Sequence, residues 1–281
     1  MNTPKDIIKQ YNIKPRKKLS QSFLIDQNIL KKIANAAQIT KDDIVVEIGS
    51  GIGVLTELLA HDAGKLIAVE LDQNLVAILK EKFANYPNVE IYSGDILKFD
   101  YALISNKYNR KLKVVGNVPY NISSPVVFQL LAFRKVINNF ILMLQKEVVE
   151  RLIALPDNKN YGVPSVLLQM FASVEKVFDV PASCFYPQPK VESAVIKGIF
   201  LNKPLIELDE TFFTKLVKAA FAQRRKTLIN NLKNAKFLQE FSTEILMEAL
   251  SNAGIEGRRR GETLSVKEFG HLSNNLISRS H

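Results

Sequence analysis

The chain is poor in the residues that cross-link or ligate metals: among 281 residues it has one cysteine and three histidines. Cys184 alone excludes an intramolecular disulfide. His61, His271 and His281 are too scattered to join it as ligands, so we predict no metal site. No apolar run approaches the roughly 20 residues of a membrane-spanning helix, and the N-terminus lacks the apolar core of a secretory signal. We therefore expect a reducing, cytoplasmic location and, by default, a monomer.

Negative charge is also scarce, since 38 Lys and Arg face 28 acids for a net charge of +10. The excess is concentrated in residues 1–25, which we interpret as a basic arm. Its charged residues are Lys5, Lys9, Lys14, Arg16, Lys17 and Lys18, against Asp6 alone. A polyanionic partner such as RNA would contact Arg16, Lys17 and Lys18, although mere solubility explains the charge equally well. Pro4 and Pro15 should interrupt any amphipathic helix here, which argues against an organelle presequence.

From residue 41 onward, short β-branched apolar runs alternate with helical patterns. The predicted strands are 43–48, 65–70, 89–92, 113–115 and 140–144, and the first crossover helices are 54–60 and 74–84. This alternation predicts an α/β fold with a Rossmann-like parallel sheet. Residues 163–178 and 193–200 are rich in β-branched and aromatic residues, which favours an antiparallel end to that sheet.

Beyond Lys203 the strand signals stop. Four helical patterns follow, at 210–221, 226–232, 243–253 and 266–277. We therefore predict three parts: the basic arm (1–25), a Rossmann-like catalytic domain (26–202) and a small all-helical, RNA-binding domain (203–281).

A glycine turn, Glu47-Ile-Gly-Ser-Gly-Ile-Gly53, follows the first strand and opens a helix. Glycines here let the backbone approach a ligand closely, so Gly49 and Gly51 are candidate cofactor contacts. The spacing departs from the dinucleotide fingerprint, because Val54 stands where a small residue is required. A nicotinamide oxidoreductase is therefore a distant alternative.

Acidic residues end the next two strands. Glu70 follows the glycines by about 20 residues, where a carboxylate can accept from both ribose hydroxyls of an adenosine. Asp95, after the third strand, can accept from the adenine amino group, and Leu71 and Ile96 can cover the ring. Either acid alone is more often a helix cap. Because the turn lacks a Lys or Arg to grip phosphate, the pattern favours S-adenosyl-L-methionine, with S-adenosyl-L-homocysteine as product.

The fourth strand ends in Asn117-Val-Pro-Tyr120. The Asn117 amide oxygen and the Val118 carbonyl can accept the two protons of an adenine amine. Pro119 rigidifies the turn, and Tyr120 offers an aromatic face. The acceptors would localise the nitrogen lone pair for attack on a methyl donor, and position and electrostatics would suffice without a strong base. Phe185 is a candidate for the opposite face of the extruded base, and a core aromatic is the alternative.

Six ordered motifs resemble those of the ribosomal RNA adenine dimethylase family over nearly the whole chain. They are Leu19-Ser-Gln-Ser-Phe-Leu24, Glu47-Ile-Gly-Ser-Gly51, Gly116-Asn-Val-Pro-Tyr-Asn-Ile122, Leu144-Gln-Lys-Glu-Val148, Tyr186-Pro-Gln-Pro-Lys-Val-Glu-Ser-Ala194 and Phe221-Ala-Gln-Arg-Arg-Lys-Thr-Leu228. This chain departs from the family at three positions. It has Ser22 where the family has Asn or His, Ser50 where the family has Pro, and Val118 where the family has Leu. The first departure weakens the expectation of a side-chain contact from Ser22.

The resemblance implies dimethylation of two adjacent adenosines in a hairpin of 16S rRNA, within assembling small (30S) ribosomal subunits. It also implies particular residue roles. Cofactor contacts would come from Ser22, Leu24, Gly49, Glu70, Asp95 and Asn117. Asn117 and Tyr120 would also address the target base.

Two basic clusters in the last third of the chain are candidates for RNA contact. Arg224, Arg225 and Lys226 suit phosphate oxygens, and Arg258-Arg-Arg260 is a second patch for which solvated surface is an equal alternative. Two other functions stay open. One is a large-subunit adenine methylase of the antibiotic-resistance type, and the other is a ribosome-assembly factor without catalysis.

Overall fold

The computed structural model describes residues 4–16, 19 and 21–278. Lys17 and Lys18, two of the predicted RNA contacts, lie outside the described residues. None of the helices in the described part of the chain is long and apolar enough to cross a membrane.

The helices and strands alternate through the first two thirds of the chain, as expected for an α/β protein. In chain order they are α1 (Pro4–Gln10), β1 (Phe23–Leu24), α2 (Gln27–Ala37), β2 (Ile44–Ile48), α3 (Val54–Asp62), β3 (Lys65–Glu70), α4 (Gln73–Lys82), β4 (Val89–Ser93), α5 (Tyr101–Tyr108), β5 (Leu112–Asn117), α6 (Ser123–Ala132), β6 (Ile137–Gln145), α7 (Lys146–Leu152), α8 (Val163–Phe171), β7 (Ala172–Val180), β8 (Phe185–Tyr186), β9 (Ser193–Phe200), α9 (Glu210–Ala220), α10 (Leu228–Lys233), α11 (Thr243–Asn252) and α12 (Val266–Ile277).

Seven strands form one sheet in the order β4-β3-β2-β5-β6-β9-β7. The pairs from β4 to β6 are parallel, and β6 pairs with β9 in the antiparallel sense. The sheet confirms the predicted fold class, including its antiparallel end. Because β2, β3, β4 and β5 are parallel, their carboxyl ends and the loops that follow lie at one edge of the sheet, where α/β proteins bind ligands.

Burial explains why these runs are strands. Every residue of β2 is buried, and so are five of the six residues of β3, as is typical of strands covered by helices on both faces. Aspartate caps then start the crossover helices. Asp72 begins α4 and Asp100 begins α5, each accepting hydrogen bonds from backbone N–H groups of the first turn.

The expectation of extended structure throughout residues 163–178 was wrong in its first half. Val163–Phe171 is helix α8, and only from Ala172 does the chain extend. Gly162 precedes the helix, Pro164 lies in its first turn, and the Ser165 hydroxyl accepts from the Gly162 N–H at 3.1 Å. These starting signals outweigh the β-branched composition.

The expectation that Pro4 prevents a helix was also wrong. Pro4 is the first residue of α1, where its missing N–H has no partner to lose. The apolar face of α1 is not solvated, because Ile7 and Ile8 are buried against Phe23, Ile52 and Leu75. Part of the basic arm therefore belongs to a hydrophobic cluster.

The described residues divide into two compact units. The first comprises the residues up to Val149 together with Val174–Phe200, and it contains the helix-covered sheet. The second comprises Glu150–Ser173 and the chain from Leu201 onward. The sequence analysis placed residues 150–173 with the sheet, whereas by contacts this stretch groups with the C-terminal helices.

The second unit has its own core. Its helices α9 to α12 follow the four predicted helical segments closely and bury one face each; the fully buried side chains include Phe213, Leu216, Leu250, Phe269 and Leu272. Tyr161, also fully buried, donates its hydroxyl to the Leu264 carbonyl oxygen at 2.9 Å. Residues 150–173 thus contribute directly to this core.

Candidate active site

A cavity of about 200 Å³ opens at the carboxyl edge of the parallel strands in the first unit. It is bounded by the loops that follow β2, β3, β4 and β5 and by the segment before β1. The predicted site residues that line it are Ser22, Gly49, Gly51, Glu70, Leu71, Asp95, Ile96, Asn117, Val118, Pro119, Tyr120 and Phe185. The described lining contains no Lys or Arg, so it offers no cationic side chain for a phosphate.

The glycine turn after β2 depends on the absence of side chains. Gly49 and Gly51 have φ angles of +68° and +56°, a region that L side chains rarely adopt. A Cβ atom at Gly49 would lie 3.3 Å from the Asn117 carbonyl oxygen, so the turn packs closely against the end of β5. The resulting backbone directs the Gly51 N–H toward the carboxylate of Glu70, at 2.8 Å.

Glu70 is held by three backbone donors. One oxygen accepts from Gly51, and the other accepts from Leu71 and Asp72, both at 2.9 Å. Burial raises the pKa of Glu70, while these three hydrogen bonds oppose the rise. A carboxylate has about four lone-pair positions, so this fixed group retains acceptor capacity toward a ligand in the cavity.

Asp95 follows β4 and caps a short 3-10 helix (Ile96–Lys98), accepting from the Leu97 N–H at 2.9 Å through one carboxylate oxygen. The structure thus shows the capping role considered in the sequence analysis, together with a position on the cavity wall. Of the two residues predicted to cover the adenine ring, Ile96 is buried and Leu71 is 48% exposed. The exposed Leu71 side chain is therefore available to cover a bound ring.

The Asn117 amide at the end of β5 is oriented by its neighbour. Its Nδ2 donates to the Ser22 carbonyl oxygen at 3.2 Å. Because a carbonyl can only accept, the amide nitrogen must face Ser22, and Oδ1 accepts from none of the described residues. The next peptide is fixed as well, since the Val118 N–H donates to the Met143 carbonyl at 3.1 Å. No described residue donates to the Val118 carbonyl oxygen.

Tyr120 and Phe185 differ in their surroundings. The Tyr120 hydroxyl shares a hydrogen bond of 2.7 Å with the hydroxyl of buried Ser193, and burial raises the pKa of this tyrosine. Phe185 lines the cavity but is only 3% exposed and belongs to the main hydrophobic cluster. Phe185 is therefore a core aromatic that also lines the cavity, and its contact with a base stays a prediction.

Ser22 and Leu24 lie in the segment that closes one side of the cavity. Phe23 and Leu24 pair with Tyr186 and Phe185 as a two-stranded antiparallel sheet. The Ser22 hydroxyl donates to the Pro187 carbonyl at 2.6 Å, so its one proton is already engaged. Leu24 does not line the main cavity; it lines a smaller one of about 40 Å³ together with Gly49 and Asn117.

Arg16, the described member of the predicted basic RNA contacts in the arm, forms an ion pair. Its Nε lies 3.1 Å from the carboxylate of Asp72, which is 4% exposed. The charge of Arg16 is therefore partly neutralised within the first unit.

The three basic residues before α10 separate into two kinds. Arg224 donates to the carbonyl oxygens of Lys159 and Tyr161, both at 2.8 Å, and lies 3.5 Å from the Glu262 carboxylate. Its guanidinium joins segments of the second unit. Arg225 and Lys226 are exposed, and no described residue forms an ion pair with either.

The three arginines at 258–260 also fall into two groups, one residue bound within the second unit and two exposed residues. Arg259 binds the Glu268 carboxylate and the Thr263 hydroxyl and carbonyl, so it joins α12 to the preceding loop. Arg258 and Arg260 are exposed. The Leu228 N–H donates to the Arg259 carbonyl at 2.7 Å, which places the exposed arginines beside the start of α10, close to Arg225 and Lys226.

Sequence reasoning missed three residues that organise the cavity. Gln21 donates to Asp72 at 3.1 Å, and Ser193 binds Tyr120. Gln21 lies within the 19–24 motif and Ser193 within the 186–194 motif. The motifs therefore included both residues, but the sequence did not predict what either side chain binds. Asp72 follows Glu70 by two residues and lies in none of the six motifs.

Comparison with known proteins agrees with this architecture. The family described as Ribosomal RNA adenine dimethylase matches residues 12–271. A protein of Syntrophus aciditrophicus (strain SB) named Ribosomal RNA small subunit methyltransferase A is 45% identical over 280 residues, 98% of this chain and 99% of the relative. A protein of the same name from Bacillus mycoides (strain KBAB4) is also 45% identical, over 98% of this chain and 96% of its own length.

Solved structures extend the similarity to three dimensions. A dimethyladenosine transferase from Plasmodium falciparum matches with a TM-score of 0.81 and 28% identity, covering 91% of this chain and 97% of that one. The 23S rRNA methyltransferase ErmE matches with a TM-score of 0.70 and 25% identity, over 91% and 99% of the two chains. With the family match spanning most of its length, and with relatives 45% identical from end to end, the chain belongs to the ribosomal RNA adenine dimethylase family.

Proposed function

We propose that this protein transfers methyl groups from S-adenosyl-L-methionine to the N6 amine of two adjacent adenosines in the 3′-terminal hairpin loop of 16S rRNA, within the small (30S) ribosomal subunit or its precursor. The product is N6,N6-dimethyladenosine, and the modification is a step in ribosome biogenesis. The observation that carries the proposal is the orientation of Asn117, whose Nδ2 is held by Ser22 so that Oδ1 is free to accept.

The residues of the cavity fit the cofactor. Its adenosine part needs acceptors for hydroxyl and amino protons, and the carboxylates of Glu70 and Asp95 supply them at neighbouring strand ends. The described part of the lining has no Lys or Arg, which suits a ligand that has no phosphate and carries a positive sulfur. Gly49 and Gly51 allow close approach of the backbone. When bound, S-adenosyl-L-methionine supplies an electrophilic methyl group on a sulfonium.

The adenine amine is a poor nucleophile because its lone pair is delocalised into the ring. Asn117 Oδ1 and the Val118 carbonyl oxygen would accept its two protons, which favours a pyramidal nitrogen with a localised lone pair. The alkylated nitrogen is acidic and loses a proton without a strong base. The protein therefore acts by position and by fixed dipoles.

The target base must leave its loop to enter the site. Tyr120, held by Ser193, would stack on one face of the base, and Phe185, which also lines the cavity, would cover the other face. Since Phe185 also belongs to the core, its contribution is a rigid wall rather than a mobile clamp.

The exposed Arg225 and Lys226, with Arg258 and Arg260 beside them, are suited to RNA phosphates. We assign RNA contact to this set and not to Arg224, whose guanidinium is bound to two carbonyls and a carboxylate. We expect the protein to act as a monomer.

A single assay tests the proposal against its alternatives. The protein is incubated with tritiated S-adenosyl-L-methionine and either undermethylated small subunits or large subunits, and the RNA is digested to nucleosides. Dimethyladenosine from small subunits alone supports the proposal. Methylation of large subunits alone would identify an activity of the antibiotic-resistance type, and subunit binding without methyl incorporation would identify a non-catalytic assembly factor.

A further inference from the structure

Asp72 joins several elements of the site without lining the cavity. Its backbone N–H donates to Glu70 at 2.9 Å, and its Oδ1 accepts from the Asn74 N–H at 3.1 Å as the cap of α4. Its Oδ2 accepts from the Gln21 side-chain amide at 3.1 Å and lies 3.1 Å from Arg16 Nε. Capping uses only Oδ1, so Oδ2 can bind Gln21 and Arg16 in the segment before β1.

The amide of Gln21 is fixed at both ends. Its Nε2 donates to Asp72, while its Oε1 accepts from the Arg16 backbone N–H at 2.7 Å. The donor and acceptor ends of the amide therefore have complementary partners, which sets the orientation of the side chain. The chain continues directly into Ser22, whose carbonyl oxygen accepts from Asn117 Nδ2.

The position of the Ser22 carbonyl therefore depends on its two flanks. On one side Phe23 and Leu24 are paired with residues 185–186. On the other side Gln21 is attached to Asp72, which is itself attached to Glu70. A connected path thus runs from the carboxylate at the end of β3 to the amide at the end of β5.

We propose that Gln21 and Asp72 are positioning residues, which set the orientation of the Asn117 amide through the Ser22 carbonyl. This inference rests on the proposed function, because it assumes that Asn117 Oδ1 accepts from the reacting amine. A misplacement of about 1 Å can lower an enzymatic rate by about 100-fold, so a pair that sets this orientation has a kinetic signature, although Gln21 itself lines the cavity.

The test uses Gln21→Met and Asp72→Asn in the full-length protein. Methionine preserves the length of glutamine without its donor or acceptor. Asparagine retains the capping oxygen, since Asn and Asp cap equally well, but places an amide nitrogen where Oδ2 accepts. Asp100→Asn is the matched control, because Asp100 also caps its helix, α5, through Oδ1 and has no hydrogen bond to Gln21.

Each variant is assayed for methyl transfer to undermethylated small subunits, for S-adenosyl-L-homocysteine binding by calorimetry, and for thermal unfolding. We expect Gln21→Met and Asp72→Asn to lower kcat by roughly 10- to 100-fold. The Kd of the product should change by less than about threefold, and Asp100→Asn should behave as wild type. The double variant should be no slower than the slower single variant, because both changes remove the same hydrogen bond between Gln21 and Asp72.

Three results would overturn the inference: a wild-type kcat for Gln21→Met, a loss found entirely in cofactor affinity, or independent, multiplicative losses in the double variant. Gln21→Met alone suffices if Asp72→Asn fails to fold, since the cap of α4 is intact in it. Asn117→Ala in the same assay separates the two claims. If Asn117→Ala retains wild-type turnover, the role assigned to Asn117 fails and this inference fails with it; if Asn117→Ala is inactive while Gln21→Met is normal, only this inference fails. If the wild-type protein itself transfers no methyl group to small subunits, the proposed function fails.

Discussion

The carboxylate of Glu47 accepts a hydrogen bond of 2.6 Å from the hydroxyl of Thr56, and both side chains are sealed from solvent beneath the glycine turn. Burial raises the pKa of Glu47 from its usual 4.5 to about 7, although the Thr56 hydroxyl opposes the rise. The native state therefore binds this proton more tightly than the unfolded chain. Its contribution to stability is complete below pH 4.5 and is lost as the pH rises through 7.

Glu47→Gln should consequently become more stable than wild type as the pH rises. The difference in unfolding free energy should shift by about 3 kcal/mol in favour of the variant between pH 4.5 and 8. Urea titrations at several pH values measure it. The exposed Glu175→Gln is the control, and parallel stability curves for wild type and Glu47→Gln would contradict the prediction.

Asn117→Ala should abolish methyl transfer while leaving the fold intact. It removes the amide oxygen assigned to the reacting amine, and the loss of one such group typically lowers kcat by about 100-fold or more. Initial rates of methyl incorporation measure the loss, and calorimetry should still detect cofactor binding. Asn106→Ala, an exposed change in α5, is the control. Undiminished turnover in folded Asn117→Ala would refute the assigned role.

Arg225→Glu combined with Lys226→Glu should weaken RNA association. Both side chains are exposed, and removing a cation from one RNA phosphate reduces the slope of log K against log salt by about 0.7 to 0.9. Calorimetry at two salt concentrations would show both effects, with cofactor binding unchanged. Lys215→Glu with Lys218→Glu makes the same charge change on α9. Equal losses in the two double variants would indicate a general effect of net charge.

Arg224→Ala should act on stability. The side chain joins residues 159–161 to Glu262 within the second unit, and the loss of these hydrogen bonds from a charged donor should cost about 1–2 kcal/mol. Thermal unfolding of Arg224→Ala beside Arg225→Ala gives the comparison. A folded, equally stable Arg224→Ala that binds RNA poorly would restore the original assignment of this residue to the RNA surface.

The sheet could be predicted because its parallel strands are short, wholly buried and separated by helices with regular apolar spacing. The same reasoning failed at Val163–Phe171, since composition alone does not distinguish a buried helix from a buried strand. It failed again at Pro4, which stops a helix only from the interior. In both places the position of Gly or Pro relative to the helix start carries the information.

The residues at the strand ends could be predicted because parallel strands bring successive loops to one edge. The orientation of Asn117 could not, since its partner Ser22 lies 95 residues earlier in the chain. The roles of Arg224 and Arg259 were hidden for the same reason. A run of like charges contains no sign of which member finds a distant carboxylate, and only the folded chain shows which arginines have hydrogen-bond partners.

The ribbon formed by β1 and β8 has a thermodynamic consequence. One of its strands follows Ser22, which we propose to contact the cofactor, and the other contains Phe185, which we propose to border the nucleobase. If the two ligands are coupled through this shared backbone ladder, the coupling is reciprocal. The factor by which the bound methyl donor changes the affinity for the adenosine then equals the factor by which the bound adenosine changes the affinity for the donor.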